Sequence, residues 1–83
     1  NIETLYHMFE SRVEAIEFFV SENSNVTDIL LRDLKLKKQL IICFINRNGK
    51  IIIPTGNDSI QKNDTVMIIT THTGFTNLQD IME

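Results

Sequence analysis

The dipeptide Asn48-Gly49 constrains the fold of this chain more than any other feature. It lies between two apolar runs of strand-forming residues, at 40–45 and 50–53. Asn and Gly adopt a positive φ more readily than other residues, and both central residues of a type I′ turn need one. The spacing therefore predicts a β-hairpin, and a third apolar run at 65–71 predicts a further strand of the same sheet.

These three runs carry apolar side chains on both faces of the pleat. A chain of 83 residues has little left over with which to cover two faces of a sheet. The pattern therefore predicts a subdomain that packs against a partner, and we expect the chain to form a homodimer. The residues assigned to the dimer interface are Ile41, Phe44, Ile52 and Met67.

The N-terminal part of the chain is predicted to add two more strands. Residues 1–9 fit both a helical stripe and a strand face, and the strand is the favoured interpretation. A turn at 10–12 would lead into the second strand, over 13–20. In that strand Ile16 and Phe18 share the expected core face, while Glu17 points to the other face.

Two short helices are expected beside the sheet. Apolar residues recur at helical spacing between 26 and 34, and a second such stripe covers residues 75–82. Strands and helices in this order indicate an α+β fold with a small, largely antiparallel sheet. Residues 1–83 are expected to form a single domain, with 1–12 as a lead-in strand and 13–82 as the domain core.

The composition argues against several classes of function. A net charge of −3 with only eight Lys and Arg residues argues against a nucleic-acid-binding surface. No apolar run approaches the ~20 residues that span a bilayer, so direct membrane insertion is not expected. The single Cys43 allows no disulfide within the chain, which fits a reducing compartment. Because the chain does not begin with Met, we expect it to be a fragment of a longer cytosolic protein.

No constellation of catalytic or metal-binding residues can be recognised in the sequence. His7 and His72 lie near opposite ends of the chain, and neither has a further ligand at metal-binding spacing. Cys43 has no basic neighbour in sequence that would make it reactive. Glu14 and Glu17 point to opposite faces of one strand, so they do not form an acid–base pair. We therefore expect no enzyme, no metal site and no cofactor in this fragment.

Four blocks of sequence, taken in order, resemble one known family. They are Glu14-Ala15-Ile16-Glu17-Phe18, then Leu31-Arg32-Asp33-Leu34-Lys35-Leu36, then Arg47-Asn48-Gly49-Lys50-Ile51-Ile52-Ile53-Pro54 with Gly56, and finally Ile60 with Lys62-Asn63-Asp64 and Val66. Together they resemble the TrkA C-terminal domain, also called the C-terminal subdomain of the RCK (regulator of potassium conductance) module. The lead-in around Leu5-Tyr6-His7-Met8 is similar to that of Trk-type potassium uptake regulatory proteins. Thr55 departs from the family, which usually has a basic residue after the proline.

The resemblance implies a regulatory and non-catalytic function. Domains of this family belong to a cytosolic assembly that gates a membrane potassium channel or transporter, and they pair as homodimers. In several relatives the cleft between two copies binds cyclic di-adenosine monophosphate. For this chain the resemblance implies a cytoplasmic location at the inner face of the cell membrane. Two alternatives stay open: a purely structural dimerisation module without a ligand, and the same domain attached to another cation or anion transporter.

The candidate effector contacts surround the predicted hairpin and are Ile42, Arg47, Asn48, Ile53 and Pro54. Arg47 is the only cation at a strand end in this region, so it is the expected phosphate contact. An alternative interpretation assigns Arg47 and Asn48 to the turn and the isoleucines to the core. An Arg at a hairpin end is expected to be largely solvated, so its removal should weaken anion binding and leave folding nearly intact.

Overall fold

The computed structural model describes residues 2–83, which form a five-stranded antiparallel sheet. The strands are β1 (Ile2–Met8), β2 (Val13–Phe19), β3 (Leu40–Arg47), β4 (Lys50–Ile52) and β5 (Thr65–Thr70). Their order across the sheet is β1-β2-β5-β3-β4. The small antiparallel sheet is confirmed, and so is the strand interpretation of the N-terminal segment. Its predicted first residue, Asn1, lies outside the described residues.

The β3–β4 connection is the two-residue turn that the Asn-Gly dipeptide predicts. Asn48 has a φ of 54° and Gly49 a φ of 84°, and the flanking residues Arg47 and Lys50 pair with each other. Positive φ values at both central positions are what a type I′ turn requires. The side chain of Asn46 accepts a hydrogen bond from the Gly49 N–H at 3.0 Å, which holds the turn closed.

The hydrophobic core lies on one face of the sheet. The strands contribute the buried residues Ile16, Phe18, Ile45, Val66 and Ile68 to it, and the connections contribute Val20, Val26, Ile60, Phe75, Leu78 and Ile81. The predicted core face of β2 is therefore confirmed. Because the sheet residues alternate between two faces, the core residues of β2 and β5 pair across the sheet, with Phe18 opposite Val66 and Ile16 opposite Ile68.

The two predicted α-helices are wrong, and the α+β class is corrected accordingly. Within residues 2–83, helical backbone is confined to two 3-10 turns, Leu31–Asp33 and Leu78–Ile81. In the first predicted helix, the Asp28 N–H donates to the Ile60 carbonyl and the Leu31 N–H to the Asp58 carbonyl, both at 2.8 Å. Backbone groups that pair with a distant segment are no longer available for a helix, so pairing overrides the helical spacing.

The C-terminal segment covers the core in a similar way. The Lys37 N–H donates to the Ile81 carbonyl, and the Glu83 N–H donates to the Lys35 carbonyl, both at 2.8 Å. The 3-10 turn Leu78–Ile81 is held by a capping box, in which the side chains of Asn77 and Asp80 each accept a hydrogen bond from the backbone N–H of the other residue. Irregular segments that hydrogen-bond to each other therefore lie where the sequence pattern predicts helices.

The other face of the sheet carries apolar side chains that remain exposed, and we call it the open face. Strand alternation and pairing assign to it Tyr6 of β1, Ala15 and Glu17 of β2, Ile41 and Phe44 of β3, Ile51 of β4, and Met67 and Ile69 of β5. The exposed fraction is 42% for Phe44, 58% for Ile51 and 66% for Ile41. One face of the sheet therefore packs against the core, and the other face is exposed to solvent.

The two faces of β2 yield a stability prediction. Phe18→Ala should lower the free energy of unfolding by about 3–5 kcal/mol, because a fully buried aromatic ring leaves a cavity. Glu17→Ala, on the open face, should cost far less. Urea unfolding of both variants measures the difference. Equal losses would contradict the assignment of Phe18 and Glu17 to different faces of β2.

Candidate functional site

The end of β3 is fixed by an ion pair between Arg47 and Asp64. Arg47 Nε donates to Asp64 Oδ1 and Nη2 donates to Oδ2, each at 2.9 Å. Nη2 also donates to the carbonyl oxygen of Ser59 at 2.9 Å. A bidentate contact of this kind matches the planar guanidinium to the carboxylate, so it is directional as well as attractive. Arg47 therefore ties β3 to the segment that leads into β5.

The two partners of this pair differ in burial. The Asp64 side chain is 1% exposed, whereas that of Arg47 is 31% exposed. The backbone N–H of Gln61 donates to Asp64 Oδ2 at 2.8 Å and adds to the bonds that hold the carboxylate. The hydrogen bonds and the charge of Asp64 raise the pKa of the Arg47 guanidinium above its ordinary value. Arg47 is the cation that compensates a buried carboxylate.

This contact overturns one expectation drawn from the sequence. The position of Arg47 at a hairpin end predicts a largely solvated residue whose removal leaves folding nearly intact. In the structure it is the ion-pair partner of a buried aspartate 17 residues further along the chain. The sequence contained a signal, because Arg47 and Asp64 lie in two of the four family-like blocks, but nothing in it indicates that the two blocks touch.

The other candidate effector contacts lie along an edge of the sheet rather than in one compact cluster. Asn48 is exposed at the hairpin tip, and Ile53 and Pro54 directly follow β4. Ile53 is 74% exposed, and the short strand β4 separates it from the hairpin tip. Ile42 lies apart from these residues, because its side chain packs against the core.

The open face holds two shallow grooves. One, of about 300 Å³, is lined by Glu17, Phe44, Asn46, Ile51, Thr65 and Met67. The other, of about 360 Å³, includes Ile41 and Ile69 among its lining residues. Three of the four residues assigned to the dimer interface, Ile41, Phe44 and Met67, are thus placed on one surface. Ile52 is not, because it packs against the core on the covered face.

The residues with catalytic or metal-binding potential are dispersed. His72 stacks on Phe75 with ring centroids 5.8 Å apart, and its Nε2 lies 2.8 Å from the Lys38 carbonyl oxygen. Burial raises the pKa of the Cys43 thiol, which disfavours a thiolate. Residues 2–83 contain no group of three or more His, Cys, Asp or Glu side chains placed to hold a metal ion. Within the same residues, no helix is long and apolar enough to cross a membrane.

Comparison with known proteins identifies the family. The family model described as the TrkA-C domain matches residues 15–82. The chain belongs to the TrkA-C domain family. The matched range begins within β2 and includes the Arg47–Asp64 pair and most of the open face.

The relatives of this TrkA-C domain include several Trk system proteins. The Trk system potassium uptake protein trkA homolog 1 of Methanosarcina mazei is 35% identical over 60 residues, which cover 72% of this chain and 15% of the relative. The TrkA homolog of Archaeoglobus fulgidus is 38% identical over 58 residues, which cover 70% of this chain and 13% of the relative. The TrkA homolog of Pyrococcus abyssi is 32% identical over 71 residues, which cover 84% of this chain and 31% of the relative. The chain spans less than a third of the length of each of these relatives.

A solved structure described as an RCK domain with cda is similar to this TrkA-C domain. The TM-score is 0.60 at 23% sequence identity, and the alignment covers 83% of this chain and 97% of that chain. At this level of identity the likeness shows a shared fold and no more. The fold expected from the sequence resemblance is therefore confirmed, apart from the two helices.

The ion pair leads to a prediction for Arg47. Arg47→Ala should lower the free energy of unfolding by about 3–5 kcal/mol, because it leaves the buried carboxylate of Asp64 without a cation. Lys50→Ala, at the exposed position paired with Arg47 across the hairpin, should change it by less than about 0.5 kcal/mol. Chemical denaturation of both variants provides the measurement. A loss as small as that of Lys50→Ala would show that the pair adds nothing to folding.

Proposed function

We propose that this TrkA-C domain is a cytoplasmic regulatory domain of a potassium uptake system, and that it acts by dimerisation and by sensing a small effector. Its relatives are named as Trk system potassium uptake proteins. Its partner would be a membrane channel or transporter, reached through the full-length regulatory protein at the inner face of the membrane. The proposal includes no catalytic step and no contact with nucleic acid. The observation that carries it is family membership combined with an exposed apolar face.

A second copy of this chain is the occupant that we propose for the open face. A two-fold dimer needs a surface that is complementary to itself. An apolar face meets this condition, because the hydrophobic effect is not directional. Phe44 and Met67 line one groove of this face and Ile41 lines the other. Contiguous exposed apolar surface of this kind is typical of protein interfaces.

The dimer can be tested with charge substitutions on the open face. Wild-type protein should sediment as a dimer at micromolar concentration. Ile41→Arg should weaken the association at least about tenfold, since the groove that Ile41 lines offers no carboxylate to pair with a buried cation. Ile29→Arg is the matched control, because Ile29 is exposed on a connecting segment rather than on the open face. Analytical ultracentrifugation gives the dissociation constants. A monomeric wild type, or equal effects of both variants, would contradict the proposed interface.

For the effector we propose a site along the edge formed by the hairpin and β4. Arg47 uses Nε and Nη2 for Asp64 and Ser59, while Nη1 makes no hydrogen bond within residues 2–83. An Arg that is held by an ion pair can offer its remaining N–H groups to a phosphate with little loss of side-chain entropy. Asn48 adds an exposed amide, and Ile53 with Pro54 adds an apolar surface. The description of the similar RCK structure as being with cda supports a ligand role for this fold.

Binding of cyclic di-adenosine monophosphate is the test of this site. Asn48→Asp keeps a residue that tolerates the positive φ of 54° and adds a charge that repels phosphate, so affinity should fall at least about tenfold. Asn25→Asp makes the same change at an exposed loop position and serves as the control. Calorimetric titration reports both affinities. Equal losses would assign the effect to net charge rather than to contact.

A purely structural dimerisation module is the second candidate function. One observation favours it: Arg47, the expected phosphate contact, already has a structural partner in Asp64. In this case the wild-type protein would dimerise but give no heat with cyclic di-adenosine monophosphate. The two assays therefore separate a sensing domain from a module that only dimerises.

A further inference from the structure

Glu17 is the one charged side chain that the three central strands β2, β5 and β3 present on the open face within residues 2–83. Thr4 of β1 pairs with it on one side and Met67 of β5 on the other. It lines the 300 Å³ groove together with Phe44 and Ile51, and its side chain is half-buried there. Within residues 2–83, the structure shows no contact by which this carboxylate would stabilise a single copy.

Within residues 2–83, no titratable group that faces Glu17 is a cation. On β4, Lys50 precedes Ile51 of the same groove, but it pairs with Arg47 and so lies on the other face of the sheet. On the neighbouring β1, Glu3 lies beside Thr4 at the strand irregularity, and Tyr6 is the next residue on the open face. The facing residues of β5 are Thr65 and Met67, neither of which titrates. On β3 the nearest titratable group is Cys43, at the register shift between Ile42 and Phe44. The polar side chains that line the groove with Glu17 are those of Asn46 and Thr65, and both are uncharged. Within residues 2–83, the charge of the Glu17 carboxylate is therefore stabilised by water and neutral polar groups rather than by a cation.

A second copy seated on the open face would remove that water. It would bring no cation from its own central strands, because it presents the same surface, with its own Glu17. Burying an unpaired carboxylate is costly, whereas the neutral carboxylic acid loses much less hydration. Any dimer that covers Phe44 and Met67 also covers the groove that contains Glu17. Closing the interface and neutralising this side chain are therefore coupled.

We propose that association of two copies through the open face takes up protons at Glu17, so that acidification strengthens the dimer. This inference rests on the homodimer proposed above and adds a regulatory property to the same surface. Each carboxylate that takes up a proton on association makes the dissociation constant rise up to about tenfold per pH unit. If the two side chains meet and share one proton, the slope is about one decade per pH unit, and if they lie apart it approaches two.

The test compares wild type with Glu17→Gln, which keeps the shape of the side chain and removes its charge. Sedimentation equilibrium between pH 5 and pH 8 should show a wild-type dissociation constant that rises at least about tenfold with pH. Glu17→Gln should dimerise at least about tenfold more tightly than wild type at pH 8, with little pH dependence. Glu22→Gln, an exposed acid in the loop after β2, is the matched control and should behave as wild type.

A second measurement does not depend on the variant being folded. Calorimetric dilution of the wild-type dimer in two buffers with different ionisation enthalpies counts the protons released on dissociation, which should be one to two per dimer. A wild-type dimer whose strength does not vary with pH, or a Glu17→Gln variant with the wild-type slope, would overturn the proton linkage and leave the homodimer standing. A weaker Glu17→Gln dimer would also overturn it, because Glu17 would then meet a cation. Monomers at every pH in both proteins would remove the homodimer and the linkage together.

Discussion

The ion pair between Arg47 and Asp64 joins the end of β3 to a buried position 17 residues further along the chain. It links the end of β3 to the turn before β5, and through the Ser59 carbonyl it also holds the segment between β4 and β5. The Asp64 carboxylate is buried, so the pair is required as well as attractive: without the guanidinium a charge would be left in a dry environment. The position of the β3–β4 hairpin, and with it the edge proposed for effector binding, depends on this contact.

The second constraint is that residues 2–83 cover only one of the two apolar faces of the sheet. Connections that hydrogen-bond to one another close the core face, with Val26, Ile60 and Ile81 filling it. Nothing of similar kind within residues 2–83 lies over Phe44 and Met67. An exposed apolar face of this kind is typical of protein interfaces, and the homodimer proposed above rests on it.

The two proposed sites share one mechanical feature, since β3 belongs to both. Its end carries Arg47 at the hairpin edge, and its middle presents Phe44 to the open face. A ligand that bound the edge better in the paired arrangement than in the separated one would shift the equilibrium between them by the difference in its two affinities. Protonation of Glu17 would act on the same equilibrium from the other side of β5. An effector and a proton could thus bias one dimer through neighbouring strands.

Local chemistry was sufficient to predict the strands, the Asn48-Gly49 turn and the core face of β2, because each depends on neighbouring residues and on the alternation of side chains along a strand. The same sequence carried enough of the family pattern to indicate the family and its fold. Only the tertiary structure decided that residues 26–34 pair with 58–60 instead of forming a helix, that Ile52 turns to the core, and that Arg47 holds Asp64. Each of these depends on a contact between residues distant in the chain, where pairing and burial outweigh the local preference of the backbone.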